Sequence, residues 1–127
     1  MDISESTELT KSRIHDAAAL IREGRYCTAF TGAGISVESG IPPFRGPGGL
    51  WGKYDPRTLE LDYFLADPAR AWPVIREIFY DNFGTAMPNE AHLALARLEA
   101  AGGTDGRGRL QVLITQNIDN LHSVAGS

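Results

Sequence analysis

Cysteine is almost absent from this 127-residue chain. Cys27 is the only one, so no internal disulfide can form, and the four thiolates of a structural zinc site are missing. Cys27 sits in an apolar run and reads as a small core residue. No apolar stretch approaches the ~20 residues of a membrane span. Residues 1–8 are polar and acidic rather than signal-like, so the expected setting is cytoplasmic. Positive charge is not in excess either: the formal net charge is −4, which excludes the basic footprint of a direct nucleic-acid binder. Lysine is scarce, two against ten arginines. That bias fits fixed contacts to phosphate or carboxylate groups and fits GC-rich coding equally well. Two phosphate-binding signatures are incomplete. Position 37 is Val, so G-x-G-x-x-G is not matched, and no P-loop lysine follows the glycines.

Glycine is what the chain has in excess, 14 residues, or about 11% against a typical ~7%. Half of them lie between Gly32 and Gly52. Otherwise the composition is ordinary, 43% apolar and 22% charged. This argues against disorder, collagen or a coiled coil as a description of the whole. The length suits one domain with a real core.

Residues 1–8 read as a frayed start. An amphipathic helix is expected from about Leu9 to Glu23, with Ile14, Ala17, Ala18 and Ile21 forming its apolar stripe and Gly24 its stop. Tyr26 to Thr31 reads as a short buried strand that runs into Gly32-Ala33-Gly34. A strand ending in a glycine turn is the entry to a nucleotide-binding βα unit, and Ser36 to Ser39 would open a short helix. Residues 42–56, rich in proline and glycine, read as a flexible loop. Asp67-Pro68 is a helix start, with Trp72, Ile75, Phe79 and Phe83 as the buried face and a kink or restart at Pro73. Pro88-Asn89 begins another helix that buries Ala91, Ala94, Leu95 and Leu98 and ends at Gly102-Gly103. Residues 103–109 read as a surface loop. Leu110 to Thr115 is a second buried strand. Alternation of strands and helices predicts an α/β chain, a Rossmann-like parallel sheet with flanking helices.

Three segments carry chemistry. Gly32 to Gly40 would bring backbone N–H groups up to an anion; a plain strand-to-helix turn is the alternative. In Gly40-Ile41-Pro42-Pro43-Phe44-Arg45-Gly46, Arg45 offers a forked cation for a diphosphate. Phe44 offers a flat apolar lid. Thr115-Gln116-Asn117-Ile118-Asp119 places polar side chains at the carboxyl end of a strand, where open α/β sheets bind ligands. An Asx-type turn is the alternative there.

Together these segments resemble the sirtuins, NAD-dependent protein-lysine deacylases. The resemblance rests on Gly32-Ala33-Gly34-Ile35-Ser36, then Gly40-Ile41-Pro42 with Phe44-Arg45-Gly46, then Thr115-Gln116-Asn117-Ile118-Asp119 with Leu121-His122. Pro88-Asn89 with Ala91-His92 adds a fourth segment. It implies that Gly32, Ala33, Gly34 and Ser36 line the NAD pyrophosphate and ribose. Arg45 would contact phosphate, Phe44 would shield the nicotinamide, and Ile41, Pro42 and Trp51 would complete the loop side. Gln116, Asn117, Ile118 and Asp119 would hold the nicotinamide ribose and carboxamide. NAD is then a consumed co-substrate, and the partner is an acyl-lysine protein or peptide.

The resemblance also implies a general-base His in a His-Gly pair and four zinc cysteines beyond Ser127. On that reading the chain, 1–127, is the N-terminal part of such a domain and is inactive alone. No catalytic residue or metal site is expected within it. His122 matches a different family histidine with a structural or supporting role, and His15 and His92 read as structural. Pro43 stands where relatives often carry Asp or Thr. A Tyr-x-x-Arg acyl pocket would fall near Ile75 and Ile78, so short neutral acyl groups are expected. A non-catalytic NAD or ADP-ribose module and an NAD-cleaving enzyme are the alternatives, and association through an exposed sheet edge is expected.

Overall fold

The computed structural model describes residues 3–81, 83–101 and 108–127. Helix α1 runs Ile3–Glu23, so it begins six residues before the expected start, inside the stretch read as frayed. Glu8, near the positive end of the helix macrodipole, also pairs with Lys11 across the expected boundary at 2.9 Å. Strand β1 (Thr28–Thr31) and strand β2 (Val112–Thr115) are each shorter than their expected spans. They pair in parallel, with Thr28 opposite Val112 and Thr31 opposite Thr115. A backbone bond from Gln111 N to Cys27 O and one from Gln116 N to Thr31 O extend the ladder at either end. A 3-10 helix follows β1 at Ala33–Ser39.

The glycine-proline loop is built rather than open. Leu50 N donates to Pro43 O and Trp51 N to Phe44 O, at 2.8 and 3.0 Å, and this closes the loop onto a 3-10 turn at Leu50–Gly52. A second 3-10 turn, Pro56–Leu59, is capped by Asp55, whose carboxylate accepts from Arg57 N. Helix α2 (Leu61–Ala66) leads into α3 (Pro68–Arg76), where Asp67 accepts from Arg70 N and Pro68 takes the first position as expected. The expected interruption at Pro73 does not occur there. The helix passes through Pro73 and changes instead to a π turn at Glu77–Asp81. Helix α4 (Glu90–Ala100) and helix α5 (Leu121–Ala125) complete the order. The expected stop at Gly102-Gly103 and most of the 103–109 loop lie outside the described residues.

Several expected core faces are corrected. In α3 and its π turn, Ala71 and Ile78 are fully buried while Trp72 is 50% exposed. Ala71, half-buried Val74 and Ile75, and Ile78 share one face at i, i+3, i+4, i+7, so the face starts one position before the expected Trp72. In α4 the buried positions are His92 and Ala96, and Ala91 and Ala94 are exposed. Among the described residues, the α1 stripe meets Leu98 and Arg109 at Ala18 and Ile21, while Ile14 is 64% exposed. Cys27 is half-buried rather than core, with Sγ near the Ile21 carbonyl. The strands expected to be buried have one open face: Phe30 is 69% and its partner Ile114 47% exposed. On the other face Thr31 reaches α5 through His122. No helix among the described residues is long and apolar enough to cross a membrane.

Parallel sheets ordinarily have both faces covered. Self-association through the open face and edges is therefore expected as concentration rises. Phe30→Lys should shift sedimentation toward the monomer, and a sharply melting monomer at every concentration would contradict this. Ile78→Ala removes a fully buried side chain. In denaturant titration it should cost about 2–5 kcal/mol.

Candidate functional site

The site forms where the carboxyl ends of β1 and β2 meet. Parallel pairing places Thr31-Gly32 beside Thr115-Gln116, and both segments leave the sheet on the same side. Gly32 is held there by close approach. A Cβ at this position would sit 2.5 Å from Gln116 Nε2. Gly40 ends the 3-10 helix with φ +88, a left-handed conformation that favours glycine. The expected helix at Ser36–Ser39 thus starts earlier, at Ala33, and has the tighter 3-10 form.

Ser36 is the node of the site. Its hydroxyl donates to Asp119 Oδ2 at 2.6 Å and accepts from Asn117 Nδ2 at 3.3 Å. Asn117 Nδ2 also donates to the Gly32 carbonyl at 3.0 Å. A third partner comes from α4. Asn89 N donates to His92 Nδ1 at 3.3 Å within a capping box. That nitrogen therefore carries the lone pair and Nε2 carries the proton. His92 Nε2 lies 3.5 Å from Ser36 Oγ and faces it as the donor. The Ser36 hydroxyl thereby uses both lone pairs and its proton. Asn89 adds a second tie from α4, donating through Nδ2 to Ile35 O at 2.7 Å and Ser39 Oγ at 3.0 Å.

The turn reading of residues 115–119 holds alongside this network. Thr115 Oγ1 accepts from Asn117 N, and Asp119 Oδ1 accepts from Leu121 N. One carboxylate oxygen serves the turn and the other serves Ser36. His122 is buried. Its Nε2 is 2.9 Å from Thr31 Oγ1, its ring lies edge-on to His92 at 4.8 Å, and its Nδ1 has no hydrogen-bond partner among the described residues. Burial, followed by the nearby His122, holds the His92 imidazole below its ordinary value, and Asp119 opposes this.

Two adjoining chambers open on this node. The inner one, about 220 Å³, is lined by Ala33, Ser36, Ile41, Pro42, Phe44, Gln116, Asn117, Ile118 and Asp119, together with Leu50, Phe79 and Phe83. Its walls are mostly apolar, and among the described residues Asp119 is the only charged one lining it. The outer chamber, about 340 Å³, is lined by Ala33, Phe44, Arg45, Trp51, Gln116 and Asn117. Phe44 and Trp51 pack at 5.3 Å between ring centres. Gly32 and Gly34 line neither chamber: Gly32 packs on Gln116, and Gly34 faces open space.

Leu50, Phe79 and Phe83 were not anticipated in the site. Phe79 and Phe83 carried an i, i+4 helix signal; Phe79 lies in the π turn and Phe83 after it, and they pack edge-to-face at 5.6 Å beside the chamber. Among the described residues, no group of three or more His, Cys, Asp or Glu side chains is placed to hold a metal ion.

The family description "Sir2 family" matches residues 32–127. An NAD-dependent protein deacetylase of Caldivirga maquilingensis is 49% identical over 114 residues, covering 87% of this chain and 40% of that protein. The mitochondrial NAD-dependent protein deacylase sirtuin-5 of Danio rerio is 44% identical over 126 residues, covering 96% of this chain and 38% of that protein. A solved Sir2 complex with a p53 peptide and NAD+ superposes with a TM-score of 0.74 at 38% identity, covering 88% of this chain and 41% of that one. Another Sir2 structure, with a deacetylated p53 peptide and 3'-O-acetyl ADP-ribose, gives 0.81 at 39% identity, covering 90% and 44%. The chain thus spans about two-fifths of the length of the curated relatives it matches.

The depressed His92 value fixes the sign of a pH effect. Protons bind the unfolded chain before the folded one, so stability is full above about pH 6.5 and is lost as pH falls from there toward the folded value. Melting temperature measured between about pH 5 and 7 should show this slope. His92→Gln should flatten it, whatever its effect on the overall level.

Proposed function

The chain belongs to the Sir2 family, and on that premise we propose that it carries the NAD-gripping part of an NAD-dependent protein-lysine deacylase. The observation that carries the reading is the pair of chambers sharing Ala33, Phe44, Gln116 and Asn117, one with a lone carboxylate and the other with Arg45. A dinucleotide has parts that fit both. Arg45 contacts the diphosphate. Ala33, with the backbone of Gly32 and Gly34, borders the pyrophosphate and ribose. Phe44, Ile41, Pro42 and Ile118 surround the uncharged faces of the nicotinamide, and Trp51 closes the outer side. Gln116, Asn117 and Asp119 orient the ribose hydroxyls and carboxamide, and Ser36 holds Asn117 and Asp119 in place.

In the proposed reaction NAD is a substrate. The acyl-lysine carbonyl oxygen attacks the ribose carbon as nicotinamide leaves, one water is consumed when the acyl carbon–lysine nitrogen bond breaks, and the products are free lysine, nicotinamide and O-acyl-ADP-ribose. The residues described here bind and orient. None of the three histidines belongs to a His-Gly pair, so the 127-residue chain by itself is expected to bind NAD without turning over an acyl-lysine peptide. The protein partner is an acyl-lysine segment, and short neutral acyl groups are favoured because Ile75 and Ile78 supply no cation. A reducing compartment, the cytoplasm, suits the lone half-buried thiol of Cys27.

Calorimetry with NAD and with ADP-ribose tests the reading. Both should bind the wild-type chain. Arg45→Ala should weaken both by roughly ten- to a hundredfold, the loss of a charge-assisted contact. Wild-type chain that binds neither ligand would overturn the proposal, and nicotinamide release without any peptide would point to NAD cleavage instead.

A further inference from the structure

One ion pair joins the two walls of the inner chamber. Lys53 directly follows the 3-10 turn Leu50–Gly52, which places Leu50 in the inner chamber and Trp51 in the outer one. Glu77 opens the π turn, whose Phe79 lines the inner chamber as well. Lys53 Nζ donates to Glu77 Oε1 at 2.5 Å and sits 4.9 Å from the centre of the Tyr54 ring. The Glu77 carboxyl is held below its ordinary value by the hydrogen bond from Lys53 first and by Tyr54 second, and Lys53 is raised in turn by Glu77. The ion pairs Lys11–Glu8 and Arg97–Glu90 each lie within one helix, and Arg76–Asp81 lies along α3 and its π turn. Among the described ion pairs, only Lys53–Glu77 ties the loop to the π turn.

An exposed ion pair adds little to global stability. At this place its effect falls on a local equilibrium. The loop that carries Phe44, Leu50 and Trp51 faces the π turn across the inner chamber; were it to stand further away, a ligand between them would lose one wall, so the closed arrangement is the one that grips. Any group that favours the closed arrangement before binding raises apparent affinity. We propose that Lys53 is a positioning residue, whose clasp on Glu77 sets the closed spacing between the glycine-proline loop and the π turn and thereby the grip on the nicotinamide end of NAD. This rests on the NAD-binding reading above. The clasp is electrostatic and lies at the solvent-exposed rim, so added salt weakens it. It needs opposite charges at the two positions and not a particular side chain at either.

The test is calorimetry of the 127-residue chain with NAD and with ADP-ribose, at low and high salt. The variants are Lys53→Gln, Glu77→Gln, Lys53→Arg, Lys53→Glu and the charge swap Lys53→Glu with Glu77→Lys. Each neutral variant should weaken NAD binding roughly two- to fivefold, weaken ADP-ribose binding less, and lose its deficit at high salt. Lys53→Glu should be the weakest, and the swap and Lys53→Arg should recover. Both positions are exposed, so circular dichroism should show the wild-type fold throughout. Neutral variants that bind NAD as the wild type does, or a swap that binds no better than Lys53→Glu alone, would overturn the clasp. A wild-type chain that binds neither ligand would instead remove the NAD reading, and this inference with it.

Discussion

The saturated hydroxyl of Ser36 is the constraint on which the site depends. It is almost wholly inaccessible to water, so each of its hydrogen-bonding sites has to find a protein partner. It finds three partners on two separate stretches: Asp119 and Asn117 after β2, and His92 at the start of α4. Neither stretch is near the other, or near Ser36, in sequence. The bonds can form only when β1 and β2 are paired in the observed register and α4 is seated against the 3-10 helix. The polar knot thus couples the site's geometry to the fold's long-range contacts. A one-residue slip of the ladder would move Asn117 and Asp119 off Ser36 and would leave a buried hydroxyl and a carboxylate unpaired.

Much of this was legible in the sequence, and the reasons are local. The turn at Gly32, the cap at Asn89 and the cap at Asp67 each follow from side-chain chemistry acting within a few residues. So does the turn after β2, where Asp119 also reaches Ser36 because a carboxylate has two oxygens. The expected parallel pairing followed from strands separated by helices, and the structure has it.

Periodicity failed where the apolar face was placed one position off or a helix buries a polar group. From Ala71 to Ile78 the buried side chains keep the spacing of a regular amphipathic helix, with Val74 and Ile75 half-buried between them, but the face starts at Ala71 rather than at Trp72, and Phe79 and Phe83 line the chamber. In α4 the alanines drew the apolar face to the wrong side. The residue at its centre is His92, whose burial is tolerable only because Asn89 and Ser36 satisfy both ring nitrogens, a partnership visible only in three dimensions. Helix α2 escaped notice because six residues carry too little periodic signal.

The charges around the two chambers are arranged asymmetrically, and this bears on how a dinucleotide would lie. Among the described residues, Asp119 is the sole charged residue of the inner chamber and Arg45 the sole charged residue of the outer one. NAD is itself divided in this way, with a positive charge on the nicotinamide ring and negative charge on the diphosphate. In the proposed orientation each end meets the opposite sign, and the reverse orientation would bring the diphosphate toward Asp119, a costly arrangement within a mostly apolar chamber. The carboxylate cannot swing away to relieve that repulsion, because Ser36 and the Leu121 amide hold its two oxygens. In the proposed reaction the positive charge would pass from the ring to the ribose carbon as the glycosidic bond breaks, and a carboxylate fixed in advance would stabilise it there without reorganising. The hydrogen bonds that secure the fold around Ser36 are, on this reading, also what keeps the negative charge where the reaction needs it.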